Sequence, residues 1–585
     1  MWRFHLLLII LKLIFSYCNM RKIFLFLLFP FQLIYSQIEG WEIEHPLKSV
    51  TTLSGNYAEL RRNHFHGGLD FRTGGVENKP IYAIDEGYVS KISISPRGYG
   101  KLAYINHPNG YTSLYAHLNE FTSKLDSIVK ARQYEKQSFD IEISFQPHEY
   151  PVKKGEQFAL SGNTGSSGGP HLHFEIRKTD DYTLLNPLEL NKYFKVEDAL
   201  PPRILAVKIY GMNDNGIVNN TREKKFQVVA NTAKNRTLQG GSDIRAWGEI
   251  GFSVKARDYM TGTYFAHTPR IIKLYVDNEL ISEVNIDNIK FSDSRAMNSF
   301  IDYSQFIKTG EYYMKSFPDA NSPLTIFKDT KYQGIYHITE ERAYPVRYEV
   351  YDDFELQDAV SFTIQGKKTE IPKSKKTYFS YLPCKESHVF DQKDFLIYFP
   401  ENALYSDLKL EYKKTALPKF YSDVHTIGNL EIPLHTFCDI SIKIDRDTLE
   451  NKGKYFIAKL SSNYIITGSA GGVYVDGFMV GKINAFERFA VAADTGKPII
   501  TPVNTTDLHR RPYLRFKILD ALSGIARYDG YIDDEWVLFE YDVKTHTITY
   551  KMDKERIKQN KNHKFKLVVT DMCGNSETFE KTIYW

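Results

Sequence analysis

Two histidines one residue apart, His171 and His173, sit in the alternating stretch GGPHLHFEIR from Gly168 to Arg177. On a strand, successive side chains point to opposite faces, so His171, His173, Glu175 and Arg177 share one side and Leu172, Phe174 and Ile176 the other. The pattern predicts one core face and one face open to chemistry. Neutral imidazole is a good zinc ligand, but two side chains are too few to hold the ion. Taken alone, the pair reads equally well as two solvated histidines on a half-exposed strand.

Further donors lie upstream. In NHFHGGLDF, from Asn63 to Phe71, His66 and Asp70 are four apart. Gly67 and Gly68 argue against a helix there, so an extended or looped segment is predicted to bring both side chains to one side. His64 is in phase with His66 and competes with it as a ligand. A third element, YTSLYAHLNE from Tyr111 to Glu120, is predicted as a strand with Tyr115 and His117 on one face and Leu114, Ala116 and Leu118 on the other. Taken alone, His117 reads as an ordinary strand histidine.

In that order, HGGLD, YAHL and GNTGSSGGPHLHFEIR resemble the lysostaphin-type, or LytM-domain, zinc metallopeptidases (metallopeptidase family 23), which cut peptidoglycan cross-bridge peptides. Gly68 stands where the family pattern HxGxD has its glycine, beside an additional Gly67. The flanking PIYAIDEGYVSKI, GKLAYINHPNGYTSLYAHL and VKKGEQFALSGNTG are similar to the family as well, so the likeness runs from Gln37 to Phe194. It implies that His66, Asp70 and His173 bind one Zn2+ per chain, and that His117 and His171 flank the water the metal activates. Three protein ligands leave the metal an open position for such a water. The implied fold is a small antiparallel β-sheet groove that takes the substrate peptide extended. Tyr99 and Tyr115 are candidates to line that groove, with core packing as the competing role for each.

The resemblance implies an exported zinc endopeptidase acting on peptidoglycan stem-peptide cross-links, with D-alanyl to diaminopimelate bonds favoured over Gly-Gly. The alternative is a non-catalytic LytM-like module that binds peptidoglycan or activates other hydrolases. Degenerate modules of that kind lack ligands that this chain has. A third reading makes the chain mainly an adhesion protein through its C-terminal part.

Other motifs fail. SGNTGSSGGP lacks the lysine of a phosphate-binding loop and precedes a strand, so it reads as a flexible wall of the site. His148-Glu149 has no second histidine to complete a zinc-binding helix. In NHPNGY, Asn109-Gly110 predicts a hairpin turn with positive φ at both residues. Between Leu118 and Val152, SKLDSIVKARQYE spaces Leu125, Ile128 and Val129 as a helical face, and SFDIEISF then alternates as a strand. This helix-strand insertion is expected either to border the cleft or simply to elaborate the sheet.

The elements that position these residues belong to a long, mainly β chain. Its 585 residues contain short alternating runs rich in Tyr and Phe and broken by Gly, Pro, Asn and Asp. A net charge of +4 is small for this length and argues against nucleic acid as a partner. The stretch from Met20 has a basic pair, an apolar run and a small residue at Ser36, which predicts a secretory signal over 1–36, with the true start at Met20 and maturation near Gln37. A retained anchor is the competing reading, but Lys12, Asn19, Arg21 and Lys22 interrupt the apolar runs. The mature chain is then periplasmic or otherwise associated with the cell envelope, without a membrane span. Cys384 and Cys438 are candidates to pair, which would leave Cys573 free.

The predicted architecture is an antiparallel β-sheet metallopeptidase domain over 37–197, followed by two or three β-sandwich-like domains. These are a β-domain over 201–368 with weak immunoglobulin-like features, a β-rich domain of uncertain type over 369–494, and an immunoglobulin-like sandwich over 497–585. None carries a catalytic constellation. They are expected to space and stabilise the chain, or to bind an envelope polymer or a partner protein.

Overall fold

In the computed structural model, the described residues are 38, 40–49, 52–232, 235–240, 243–373 and 377–585. The expected signal segment, 1–36, lies outside them. The chain divides at Trp41/Glu42, and the body that carries the site is Glu42–Trp585. Among the described residues no helix is long and apolar enough to cross a membrane.

The first part of the body is mainly strand. It comprises β1 (Leu53–Gly55), β2 (Leu60–Arg61), β3 (His64–Phe65), β4 (Leu69–Arg72), β5 (Pro80–Tyr82), β6 (Gly87–Ile94), β7 (Lys101–Asn106) and β8 (Tyr111–Phe121). After helix α1 (Ser123–Lys136) come β9 (Ile141–Ser144), β10 (Pro151–Val152), β11 (Gln157–Ser161), β12 (His171–Lys178) and β13 (Thr183–Leu185). The sheet runs β1-β4-β12-β8-β7-β6-β10, and β11 joins β8 to β5. Every pairing within it is antiparallel, so the register of β12 between β4 and β8 decides which side chains meet. His173 lies opposite Asp70 on one side and Ala116 on the other, while Phe174 lies opposite Leu69 and Tyr115.

Alternation along β12 puts Leu172, Phe174 and Ile176 in a core with Phe71 and Phe194. The rings of Phe71, Phe174 and Phe194 lie 5.4–6.1 Å apart. Burying each phenyl contributes roughly 1.5–3 kcal/mol, which pins the strand that carries the histidines. The other face of β12 is not open as predicted. His173, Glu175 and Arg177 are buried, and only His171 keeps partial exposure. Part of the cover comes from a later segment, because the Arg177 guanidinium sits 4.2 Å from the ring centre of Phe291.

The two glycines of HGGLD have a packing reason. A side chain on Gly68 would place its Cβ 1.9 Å from the Phe174 carbonyl oxygen, and one on Gly67 would meet Glu175 Oε1 at 2.4 Å. The segment between β3 and β4 crosses β12 with no room for a methyl group. Gly68→Ala is therefore expected to destabilise the domain by about 2–4 kcal/mol, because its clash is with backbone and not with a movable side chain. Urea unfolding followed by tryptophan fluorescence reads this as a lower midpoint; an unchanged midpoint refutes the close-approach account.

The insertion forms as predicted, with Leu125 and Val129 buried, but Gln133 and not Ile128 completes the buried stripe. β9 pairs with β6 at the sheet edge. The outer side of α1 meets the last domain: Tyr134 packs edge-on against Trp536 at 5.3 Å, and Arg556 lies 3.6 Å over the Tyr134 ring. The insertion is thus a strut between domains. In the β7-β8 turn, Gly110 alone has positive φ, because four residues and not two span the connection.

Of the strands from Arg203–Val218 to Gln357–Gly366, Asn288–Lys290 pairs with β13 in the first sheet and the others join in one 12-stranded sheet. Two five-stranded sheets follow around a core that includes Phe395, Ile440, Ile457 and Val491. The strands from Ile499–Asn504 to Ser576–Tyr584 form two four-stranded sheets sharing a core with Phe516, Ile518, Phe565 and Leu567. Cys384, Cys438 and Cys573 are all buried free thiols, so the candidate Cys384–Cys438 pair does not form.

Candidate active site

Three side chains from two neighbouring strands and the turn before one of them converge. His66 follows β3, Asp70 is on β4, and His173 stands opposite Asp70 on β12. His66 Nε2 is 2.9 Å from Asp70 Oδ1 and 2.9 Å from His173 Nδ1, and His173 Nδ1 is 2.8 Å from Asp70 Oδ1. Two imidazole nitrogens and a carboxylate oxygen gathered this closely fit a metal site. His64 does not join them: it is exposed, with Nδ1 on the Arg62 carbonyl at 3.0 Å.

Each donor is held from behind. His66 Nδ1–H donates to the Asn56 carbonyl at 2.7 Å, and His173 Nε2–H donates to Glu175 Oε1 at 2.8 Å. Arg61 donates to the outer oxygen of Asp70 at 2.6 Å. These partners fix the tautomers so that His66 Nε2 and His173 Nδ1 point inward. Burial opposes charge on Asp70, but the nearby imidazoles of His66, His171 and His173 hold its carboxyl well below the usual range. Burial lowers the pKa of His66. Burial also acts to lower the pKa of His173, yet its bonds to Asp70 and Glu175 raise it to about 9 with no cation in the cluster.

Glu175 is the residue that sequence reasoning passed over as simply facing the same way. Fully buried, it accepts from His173 Nε2, from the Tyr99 hydroxyl at 2.6 Å and from Arg177 Nε at 2.6 Å. Burial alone would raise its pKa, but Arg177 and His173 pull it far below the carboxylate range. An acid two residues beyond a ligand, with a basic residue two further on, was the available signal: period two puts all three on one face.

His171 and His117 face the cluster from the other side. His171 Nδ1–H donates to the Gly169 carbonyl at 2.8 Å, and His171 Nε2 is 3.4 Å from Asp70 Oδ1. That nitrogen is buried and has no hydrogen-bond partner among the described residues. His117 Nδ1–H donates to the Thr164 carbonyl at 2.8 Å. The His117 ring is 4.8 Å from that of His171 and 5.9 Å from that of His173. Burial, then the neighbouring His171 and His173, lower the His117 pKa to about 3, so its ring is neutral.

The placement of His117 corrects the expected pairing with Tyr115. Tyr115 lies opposite Phe174 on the core side, fully buried, with its ring against Phe158 and Phe174 and its oxygen accepting from the Ile84 N–H. It lines no groove. Simple alternation would send His117 to the same side, but His117 has φ of +58°, and the register between β7 and β8 slips next to it. This left-handed residue costs about 1–3 kcal/mol and turns the ring onto the face of His173. Tyr99 does stand at the site, partly exposed, its ring 5.3 Å from that of His173.

The glycine-rich stretch is not a slack wall. Thr164 accepts from the Lys101 N–H, donates to the Leu118 carbonyl and presents its own carbonyl to His117. Gly165 passes so close to Gly98 and Gly100 that a Cβ would lie 2.3–2.4 Å from their backbone atoms. Later domains hold both flanks. Ser294 exchanges hydrogen bonds with both the N–H and the carbonyl of Phe65, next to His66. Lys544 donates to the Asn163 carbonyl, and Lys101 pairs with Glu540 at 3.0 Å.

A sequence profile for peptidase family M23 matches residues 64–134, and one for the Zu5-like domain matches residues 379–494. The chain is 33% identical over 138 residues to an uncharacterized metalloprotease of Haemophilus influenzae, covering 23% of this chain and 24% of that one. It is 32% identical over 111 residues to the peptidoglycan DD-endopeptidase ShyB of Vibrio cholerae, covering 19% and 20%. It is 32% identical over 103 residues to the lipoprotein NlpD of Yersinia enterocolitica, covering 18% of this chain and 81% of that one. The match thus spans about a quarter or less of the first two relatives and most of the third. Through the sheet that carries His66, Asp70, His117 and His173, the chain belongs to peptidase family M23.

Proposed function

We propose that the protein is an exported zinc endopeptidase that hydrolyses peptide cross-links of peptidoglycan. The convergence of His66 Nε2, Asp70 Oδ1 and His173 Nδ1, each backed by its own hydrogen bond, carries the reading. These three atoms are the ligands, and Zn2+ bound to them supplies the Lewis acidity that polarises a peptide carbonyl and acidifies a water.

The chain's own groups do the rest. His171 and His117 each spend Nδ1–H on a backbone carbonyl, which leaves Nε2 of each neutral ring with a free lone pair to accept a proton. One accepts the proton of the attacking water. Once protonated, a ring donates to the developing oxyanion or returns the proton to the leaving amine. Tyr99 positions Glu175, and through it the His173 ring, and its exposed part borders the substrate path. The segment from Met20 serves as the export signal and places the protein at the cell envelope.

The name of the Vibrio cholerae relative supports bonds of the D-alanyl to diaminopimelate type. The likeness to a lipoprotein whose name states no activity supports a second reading, a peptidoglycan-binding module that activates other hydrolases. Digestion of purified sacculi with zinc-loaded protein separates the two. New D-alanyl carboxyl and diaminopimelyl amino ends, detected by mass and lost in the apoprotein, are expected. Binding to sacculi without new ends, at full zinc occupancy, refutes the enzyme and supports the module.

A further inference from the structure

A second group of carboxylates lies away from the histidines, where the first sheet passes into the 12-stranded one. Asp198 follows the last helical turn of the peptidase part, Asp258 is near the end of strand Arg245–Tyr259, and Asp352 follows strand Ala343–Tyr351. One oxygen of each lies within 4.8 Å of the others. Asp258 is 1% exposed and Asp352 is 3% exposed.

Three carboxylates together are not in themselves a site, but the fate of their oxygens is informative. Asp198 Oδ1 accepts from the Leu200 and Thr261 N–H groups, and Asp352 Oδ1 from those of Phe354 and Leu356. Asp198 Oδ2, Asp258 Oδ1 and Asp352 Oδ2 are closed off from solvent and have no hydrogen-bond partner among the described residues. Buried carboxylate oxygens without donors are costly, and three sharing one small volume add mutual repulsion. The chief charges acting on Asp258 are Asp352, Asp198 and Asp353, all negative.

A comparable cluster in the last part of the chain, Asp494, Asp520 and Asp571, lacks this feature. There Asp494 Oδ2 accepts from Ser523, Asp520 Oδ1 from Gly524, and both oxygens of Asp571 from Asn575. N–H and O–H donors already satisfy those acids. Only the first cluster is short of positive charge and of donors together.

We propose that Asp198, Asp258 and Asp352 bind a hard divalent cation of the Ca2+ class, which fastens the 12-stranded sheet to the end of the peptidase domain. Ca2+ takes six to eight oxygen ligands, so backbone carbonyls and waters complete the shell around three carboxylates. Zinc prefers the nitrogen-containing set at His66, Asp70 and His173, so the two sites divide the two metals by donor chemistry. The competing account is that Asp258 and Asp352 carry protons instead. Burial raises their pKa values to about 8 and about 6 in the absence of a cation.

The test uses the full chain, stripped of divalent ions and reloaded with one equivalent of Zn2+, then titrated with Ca2+ by calorimetry and followed by thermal melting. One further ion per chain is expected, with a melting rise of roughly 3 °C or more at saturating Ca2+. Asp198→Asn keeps the Oδ1 cap on Leu200 and Thr261 and is expected to weaken Ca2+ binding at least tenfold. Asp258→Asn is expected to abolish it, and Asp520→Asn to leave it unchanged. No Ca2+ uptake by the zinc-loaded protein overturns the proposal, as does uptake that survives both Asp198→Asn and Asp258→Asn or is lost in Asp520→Asn. A chain that Asp258→Asn stabilises equally with and without Ca2+ has a proton where the ion is proposed.

Discussion

His173→Ala is expected to remove bound zinc and peptide hydrolysis together. Its Nδ1 is one of three converging donor atoms, and its Nε2 anchors the ring to a fully buried carboxylate. Truncation deletes a ligand and also leaves Glu175 with one donor fewer in a dry environment, so local stability falls as well. Elemental analysis and cleavage of a cross-linked muropeptide read both effects: zinc should fall from about one per chain to a small fraction, with a rate indistinguishable from that of the apoprotein. His64→Ala is the control, since that ring is exposed and turned to the Arg62 carbonyl. Retention of full zinc by His173→Ala, or loss of zinc by His64→Ala, refutes the ligand assignment.

His171→Ala and His117→Ala should separate what His173→Ala merges. Neither ring supplies one of the three converging atoms, and both are held by backbone carbonyls of the glycine-rich stretch. Zinc should stay near one per chain in each, while the cleavage rate falls roughly 10²- to 10³-fold through loss of proton transfer and oxyanion stabilisation. The fall should appear in kcat with little change in KM, because the groups act in the transition state. Loss of zinc in His171→Ala makes His171 a ligand. Full activity of both variants removes the proposed roles of the two rings.

Period two in GGPHLHFEIR identified β12 and separated its core face from its polar face, because the pleat enforces alternation whatever the surroundings. The donor types in HGGLD and HLH, with their order along the chain, located the metal-fitting cluster, and the glycines marked a backbone crossing too tight for a side chain. Periodicity likewise found the insertion helix and the β-rich tail. Tertiary structure alone decided the rest. The antiparallel register set Asp70 opposite His173, and a left-handed residue next to a register slip turned His117 away from the face it would share with Tyr115. Burial made Glu175 a partner of His173 and put Tyr115 in the core. Phe291, Ser294, Lys544 and Glu540 reach the peptidase sheet from more than a hundred residues away. Local patterns fix which way a side chain points along its own strand; which atoms it then meets depends on register, burial and partners remote in sequence, and no window of the sequence contains those.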